Sequence, residues 1–257
     1  MKVLVIDTAL NACTAAVFED DRPLGVRSEP MAKGHQERIG GLVRDAVADA
    51  GGSGAAGFDG IERIGVTVGP GSFTGLRVGL AFAQGLGAAL GVPVVGISTL
   101  AALARSKRDA LAHSERTVFN IAAVIDARRG QVYLQTFHDD VAVAEPQALA
   151  IDGACESLLR GGAWSLVGSG APLIVEAGLR HMPVPPPDSR TAMPEASVAD
   201  LITVPTPAAL AALTIAADPE SAPPSPLYLR APDATPPTRL PGQPRPAAPR
   251  PSSAKPT

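Results

Sequence analysis

The order of its apolar runs restricts what this chain can fold into more than any other feature. Lys2 to Thr8 reads as a buried strand, Thr14 to Glu19 as its hairpin mate, and Leu24 to Ser28 as a third strand, each closed by polar turn residues. An amphipathic helix from about Glu37 to Ala50 follows, then a glycine-rich loop and a strand from Arg63 to Val68. A helix from Phe73 to Leu90, a strand from Pro93 to Ile97 and a helix beginning at Thr99 complete the series. The pattern is therefore βββαβαβα, three antiparallel strands followed by alternating strands and helices.

A second start is visible downstream. Val118 to Asp140 (VFNIAAVIDARRGQVYLQTFHDD) repeats the layout of Val3 to Asp21 (VLVIDTALNACTAAVFEDD). In each copy an apolar strand ends in Asp (Asp7, Asp126), a polar loop follows, and a second strand runs into an acidic pair (Asp20 and Asp21, Asp139 and Asp140). Internal duplication of one unit accounts for this. Element order and duplication together predict an α/β, actin-like (ASKHA) fold made of two ribonuclease H-like domains, the second degenerate. Residues 1–104 form the first domain, completed by a helix near 207–217 that begins with Pro207 and packs back on it. Residues 105–204 form the smaller second domain, with a short helix at Gly153 to Arg160, a strand at Trp164 to Val167 and a loop at Gly168-Ser169-Gly170. Prolines from Pro183 onward weaken regular structure. Nine of the last 27 residues are proline, so 231–257 is expected to be a disordered tail.

Composition narrows the function classes. Hydrophobic residues make up 46% of the 257 and aromatics only 4%, so the core is built from small aliphatics. No apolar run approaches the roughly 20 residues of a bilayer span, and the opening strand runs straight into Asp7, which fits neither a membrane helix nor a signal peptide. A cytoplasmic protein is expected, and Cys13 and Cys155, with no CxxC spacing, read as plain thiols. The net charge of −3 is unevenly spread. The tail carries Arg239, Arg245, Arg250 and Lys255 against Asp233, so it holds +3 and the remainder −6. An acidic body argues against a large phosphate-facing patch, so any RNA contact would be shared with partners. A charge of +3 is small for an RNA-binding arm, and the tail reads as an inert extension.

The segment Gly69-Pro70-Gly71-Ser72-Phe73-Thr74-Gly75-Leu76-Arg77 joins a strand to a helix. Such a turn offers free backbone N–H groups at the positive helix end, the physical basis of phosphate or carboxylate binding. Asp7 and Thr8, at the end of the first strand, could serve a phosphate-bound Mg²⁺, so Asp7, Thr8, Gly71, Ser72 and Thr74 are the candidate nucleotide or anion site. Ser72 or Thr74 could instead simply cap the helix. The loop is not a P-loop, because Gly75 is followed by Leu76 where Lys is needed. Asp126-Ala127-Arg128-Arg129 also lacks the glycine that a second phosphate loop requires. Within the helix, Gly75, Gly79, Ala83 and Gly87 recur every four residues, a stripe that lets another backbone approach, whether a partner's or the chain's own sheet. His35 has Ile39 four residues on, so no HxxxH metal pair exists and no metal site is expected. No nucleophile elbow or paired-carboxylate arrangement stands out, and no catalytic residue is assigned.

Five segments give the chain a resemblance to the bacterial TsaB family, also called YeaZ, the tRNA threonylcarbamoyladenosine biosynthesis partner proteins. They are Ile6-Asp7-Thr8, His35-Gln36-Glu37-Arg38, Gly69 to Arg77, Ile125-Asp126-Ala127-Arg128 with Gln131-Val132-Tyr133, and Pro226-Leu227-Tyr228-Leu229-Arg230. The resemblance implies a non-catalytic subunit that binds and activates a metal-binding paralogue, TsaD. TsaD moves threonylcarbamoyl from its adenylate to the adenosine 3′ of the tRNA anticodon, with help from the ATPase TsaE. It implies further that ATP and metal sit on the partner subunits, that tRNA is reached through the complex, and that the chain could homodimerise when alone. The family interface uses the first two long helices. That places His35, Arg38 and Leu42 on one helix and Gly75, Leu76, Gly79, Ala83 and Gly87 on the other at the expected partner surface. The alternative is a free-standing ATPase or small-molecule kinase of the same fold.

Overall fold

The apolar run β1 (Lys2–Asp7) lies at the centre of the first sheet, antiparallel to β2 (Ala12–Glu19) and parallel to β4 (Arg63–Gly69). With β3 (Arg22–Pro30) and β5 (Val94–Ser98) the order is β3-β2-β1-β4-β5. A computed structural model describes residues 1–51, 55–112, 120–161, 163–181 and 201–230 of the chain. The proline-rich stretch from Pro183 to 200 and the tail 231–257 lie outside the described residues.

Because side chains alternate across a strand, β1 feeds two cores. Leu4 and Ile6 meet Ile64 and Val66 under α1 (His35–Asp49) and α2 (Phe73–Leu90). Val3 and Val5 face the other way, toward Val95, Ile97 and the returning helix α6 (Pro207–Ala216). That helix starts on a Thr206 cap whose hydroxyl accepts from Ala209 N (3.2 Å). Its last carbonyls are satisfied by Arg63, whose Nη1 donates to Thr214 O (3.0 Å) and Ile215 O (3.2 Å). Gly65 is required beneath it, since a Cβ there would lie 1.8 Å from Thr214 Oγ1.

The second sheet repeats the first in reduced form. Strand β6 (Asn120–Arg128) pairs antiparallel with β7 (Gln131–His138) and parallel with β10 (Ser165–Val167). Short strands β8 (Val141–Ala142) and β9 (Gln147–Ala150) pair with β7. Thus β6, β7 and β10 take the places of β1, β2 and β4, and β9 that of β3, while β5 has no counterpart among the described residues. Helix α3 (Thr99–Leu111) lies between the sheets, with Ala102 in the first core and Leu100 and Leu103 against Ile121, Ile125 and Val167 of the second. Helices α4 (Ile151–Arg160) and α5 (Ala171–His181) cover the outer face through Leu158 and Ile174. Helix α5 and strands β8 and β9 are additions to the elements expected from the sequence.

After α6 the chain does not leave the body. Residues 222–230 form an extended strap along the end of the first sheet. Gly96 N donates to Ala222 O (2.9 Å), Leu227 N to Val68 O (2.7 Å) and Gln84 Nε2 to Pro224 O (2.8 Å).

Candidate functional site

The loop from Gly69 leads β4 into α2, and its polar groups are taken up by the chain itself. Ser72 N donates to Ala9 O (2.7 Å), while Ser72 Oγ accepts from Gly75 N (3.2 Å) as an N-cap. Gly71 lies so close to the turn after β1 that a Cβ would stand 2.3 Å from Ala9 O. Asp7 is 1% exposed, and its Oδ1 accepts from Ala9 N (2.9 Å) and Thr67 Oγ1 (2.7 Å). Burial raises its pKa, opposed by those two hydrogen bonds and by His35. Thr8 is fully buried and donates to Gly75 O (2.7 Å). The strap lies over the loop, with Leu227 O 2.9 Å from where a Gly69 Cβ would be.

This corrects the candidate anion site. Asp7 and Thr8 are buried with their side chains bonded inside the protein, Gly71 is half-buried, and Ser72 and Thr74 remain exposed at the start of α2. The buried, internally bonded side chains of Asp7 and Thr8 do not fit the nucleotide-bound metal that an actin-like fold implies. Among the described residues no three His, Cys, Asp or Glu side chains converge as metal ligands would. Cys13 and Cys155 are buried free thiols, and burial pushes the Cys13 thiol up to about 11.

The expected partner surface is also corrected. The stripe of α2 faces its own sheet: a Cβ at Gly75 would lie 2.1 Å from Thr8 O, one at Gly79 2.3 Å from Thr8 Oγ1, and one at Gly87 2.3 Å from Val94 Cγ2. Leu76 and Ala83 are buried beside them. On α1, Leu42 is in the core and His35 is buried with Nε2 3.1 Å from Ala12 O. Of the expected interface residues only Arg38 reaches the surface, where its Nε donates to Glu29 (2.9 Å) and holds that carboxylate below its usual range.

The outward faces of the two helices carry different residues. Gly40 of α1 faces α2, its Cβ position 3.7 Å from Phe82 Cε2, so the helices lie side by side. Across α2 the exposed residues are Phe73, Thr74, Arg77, Ala81, Gln84, Gly85, Ala88 and Ala89, with open space around Gly85. Helix α2 is the one described helix long and apolar enough to cross a membrane, yet it packs on the sheet by one side with only 33% of it buried. Beyond Phe73 and Arg77 its exposed residues are small or uncharged. A separate cleft of about 510 Å³ between β2, α3 and α6 is lined by Asp20, Asp21, Arg105 and Asp109. Asp20 there pairs with the N-terminal ammonium (2.7 Å) and Arg105 with Asp109 (2.8 Å).

Two sheets of this topology, the second a reduced copy, define an α/β protein of the actin-like (ASKHA) class. Residues 14–157 match the family model described as TsaD, tRNA N6-adenosine threonylcarbamoyltransferase. The tRNA threonylcarbamoyladenosine biosynthesis protein TsaB of Escherichia coli K12 is 34% identical over 140 residues, 54% of this chain and 56% of that protein. The chain thus spans about half the length of this named relative. An uncharacterised protein of Mycobacterium tuberculosis is 36% identical over 236 residues, covering 91% of this chain and 94% of that one. The solved structure of YeaZ from Pseudomonas aeruginosa superposes with a TM-score of 0.63 at 26% identity, over 89% of this chain and 99% of that one. The chain belongs to the TsaB (YeaZ) family.

Proposed function

We propose that this chain is a non-catalytic subunit of the machinery that transfers threonylcarbamoyl from its adenylate to the adenosine 3′ of the tRNA anticodon, and that it binds and activates a TsaD-type catalytic subunit. The observation that carries this reading is the exposed side of α2, a long apolar helix with eight of its 18 residues exposed beside α1. A surface of that kind is covered by a partner in the working assembly. The relatives' names supply the pathway, and the burial of Asp7 and Thr8 supports the division of labour. A free-standing ATPase or kinase would need the groups that Asp7, Thr8 and Ser72 already direct to their own backbone. ATP and metal then belong to the partner subunits, a TsaE-like ATPase among them, and tRNA is reached through the complex. The same helix face would hold a homodimer when the partner is absent, and the assembly works in the cytoplasm.

The test is reconstitution of the tRNA modification with and without this chain, reading modified adenosine by mass spectrometry of digested tRNA. Product that forms only when the chain is present is the expected result. Equal product in its absence overturns the proposal.

A further inference from the structure

The strap sets a second aromatic ring beside the first residue of α2. The Tyr228 ring centroid lies 5.3 Å from that of Phe73, with 37° between the ring planes, the separation of a favourable aromatic pair. Arg77, one turn along the helix, holds its guanidinium carbon 3.8 Å from the Phe73 centroid and donates from Nε to Tyr228 Oη (3.3 Å). The three side chains thus fix one another. The rings nevertheless stay in water: Phe73 (51%) and Tyr228 (44%) are the only exposed Phe, Tyr or Trp side chains among the described residues.

Fastening the strap does not account for this exposure. Leu227 N and Gly96 N already tie it to the sheet end, and Gln84 ties it to α2. Rings that served only to hold it would gain more by facing the core, because the larger part of an aromatic side chain's contribution is area removed from water. They stand instead at the end of a line of exposed residues. Phe73, Arg77, Ala81, Gly85 and Ala88 follow one another three or four positions apart and so share one face of α2. Beyond Arg77 that line carries no side chain larger than a methyl group, so the rings stand proud at one end of it.

We infer that the Phe73 and Tyr228 rings are the anchor by which this chain docks its catalytic partner, so that the strap as well as α2 belongs to the interface. A few aromatic side chains seated in a pocket carry most of the energy of many interfaces, and rings already fixed in place lose little freedom on binding. The surface that matches this one holds an apolar pocket wide enough for two rings, beside an uncharged strip that can lie on Ala81, Gly85 and Ala88. The choice of the catalytic subunit as occupant rests on the proposed function, and a second copy of this chain is separated from it by the test. The anchor is hidden in the sequence because its two rings, 155 positions apart, meet only through the strap.

The test is isothermal titration of the full chain with the catalytic subunit, using wild type, Phe73→Ala, Tyr228→Ala and Tyr228→Phe. Affinity is expected to fall about tenfold or more for each alanine variant. Tyr228→Phe keeps the ring and loses only the hydroxyl bond to Arg77, and is expected to bind as wild type does. Circular dichroism checks that each variant is folded, and Tyr228→Ala carries the test if Phe73→Ala is not. Folded alanine variants that bind like wild type, with only their urea midpoints lowered, overturn the inference, since the rings then do no more than hold the strap. A loss confined to self-association of the chain alone, read by sedimentation velocity, overturns it in favour of a second copy. Wild type that does not bind the catalytic subunit overturns the proposed function as well, whereas equal binding by wild type and both alanine variants leaves that function standing and removes only the anchor.

Discussion

Asp7 shows how one residue type can keep its place in a fold while its chemistry changes. It sits at the end of β1, where an actin-like ATPase could use it, but its carboxyl is buried and accepts from Ala9 N and Thr67 Oγ1. Burial raises its folded pKa above the ordinary 3.8. As pH rises past that value the unfolded chain ionises first, so the protonated folded form loses ground. The stabilising contribution of this proton is complete below 3.8 and is lost as pH rises through the folded pKa. Asp7→Asn keeps an oxygen for both donors and cannot titrate. Its urea midpoint relative to wild type is therefore expected to increase from mildly acidic to neutral pH. A difference that stays constant with pH would show that Asp7 is ionised in the folded protein throughout.

Among the elements, the strap of residues 222–230 does the most with the least regular structure. Tyr228 joins it to α2 through the Phe73 ring and by accepting from Arg77 Nε (3.3 Å). Tyr228→Ala removes one aromatic pair and one half-exposed hydrogen bond, and is expected to lower stability by about 1–2 kcal/mol in urea denaturation. No change would mean that the backbone bonds from Val68 and Gly96 hold the strap unaided. The strap was invisible to pattern reading because proline-interrupted extended chain has neither helical nor strand periodicity, although Pro226 to Arg230 stood out as a family string. The strands and helices of the first half were legible to within a few residues, since Leu4, Ile6, Ile64 and Val66 alternate and α2 is bracketed by Ser72 and Gly91. Helix α5 is hard to read from sequence although Leu173, Ile174 and Ala177 carry its periodicity, because it is short and lies between the Gly168 to Gly170 turn and the prolines from Pro183. The glycine stripe was seen, but not what it faces. Spacing of four marks where a backbone can come close and does not say whether that backbone is a partner's or the chain's own β1.

At the scale of the whole molecule, the two sides of α2 would, on the proposed function, separate folding from assembly. The inner side, Gly75, Gly79 and Gly87, is in contact with β1 and with the chain at β5, while Gly85 on the outer side has open space around it. Gly79→Arg would force a long cation against Thr8 in a closed core, where even smaller overpacking costs about 1–3 kcal/mol. It is expected to give insoluble or unfolded protein, and so to say nothing about partners. Gly85→Arg should leave the melting temperature within a few degrees of wild type, since helix propensity favours Arg over Gly and no neighbour is displaced. If the catalytic subunit docks on this face, the same substitution should abolish co-elution and stop tRNA modification in the reconstituted system. Folded Gly85→Arg that still co-elutes and still supports modification would move the interface off α2. The heterodimer would then have to be sought on α1 beyond Gly40, or on the edge where the strap meets the second sheet.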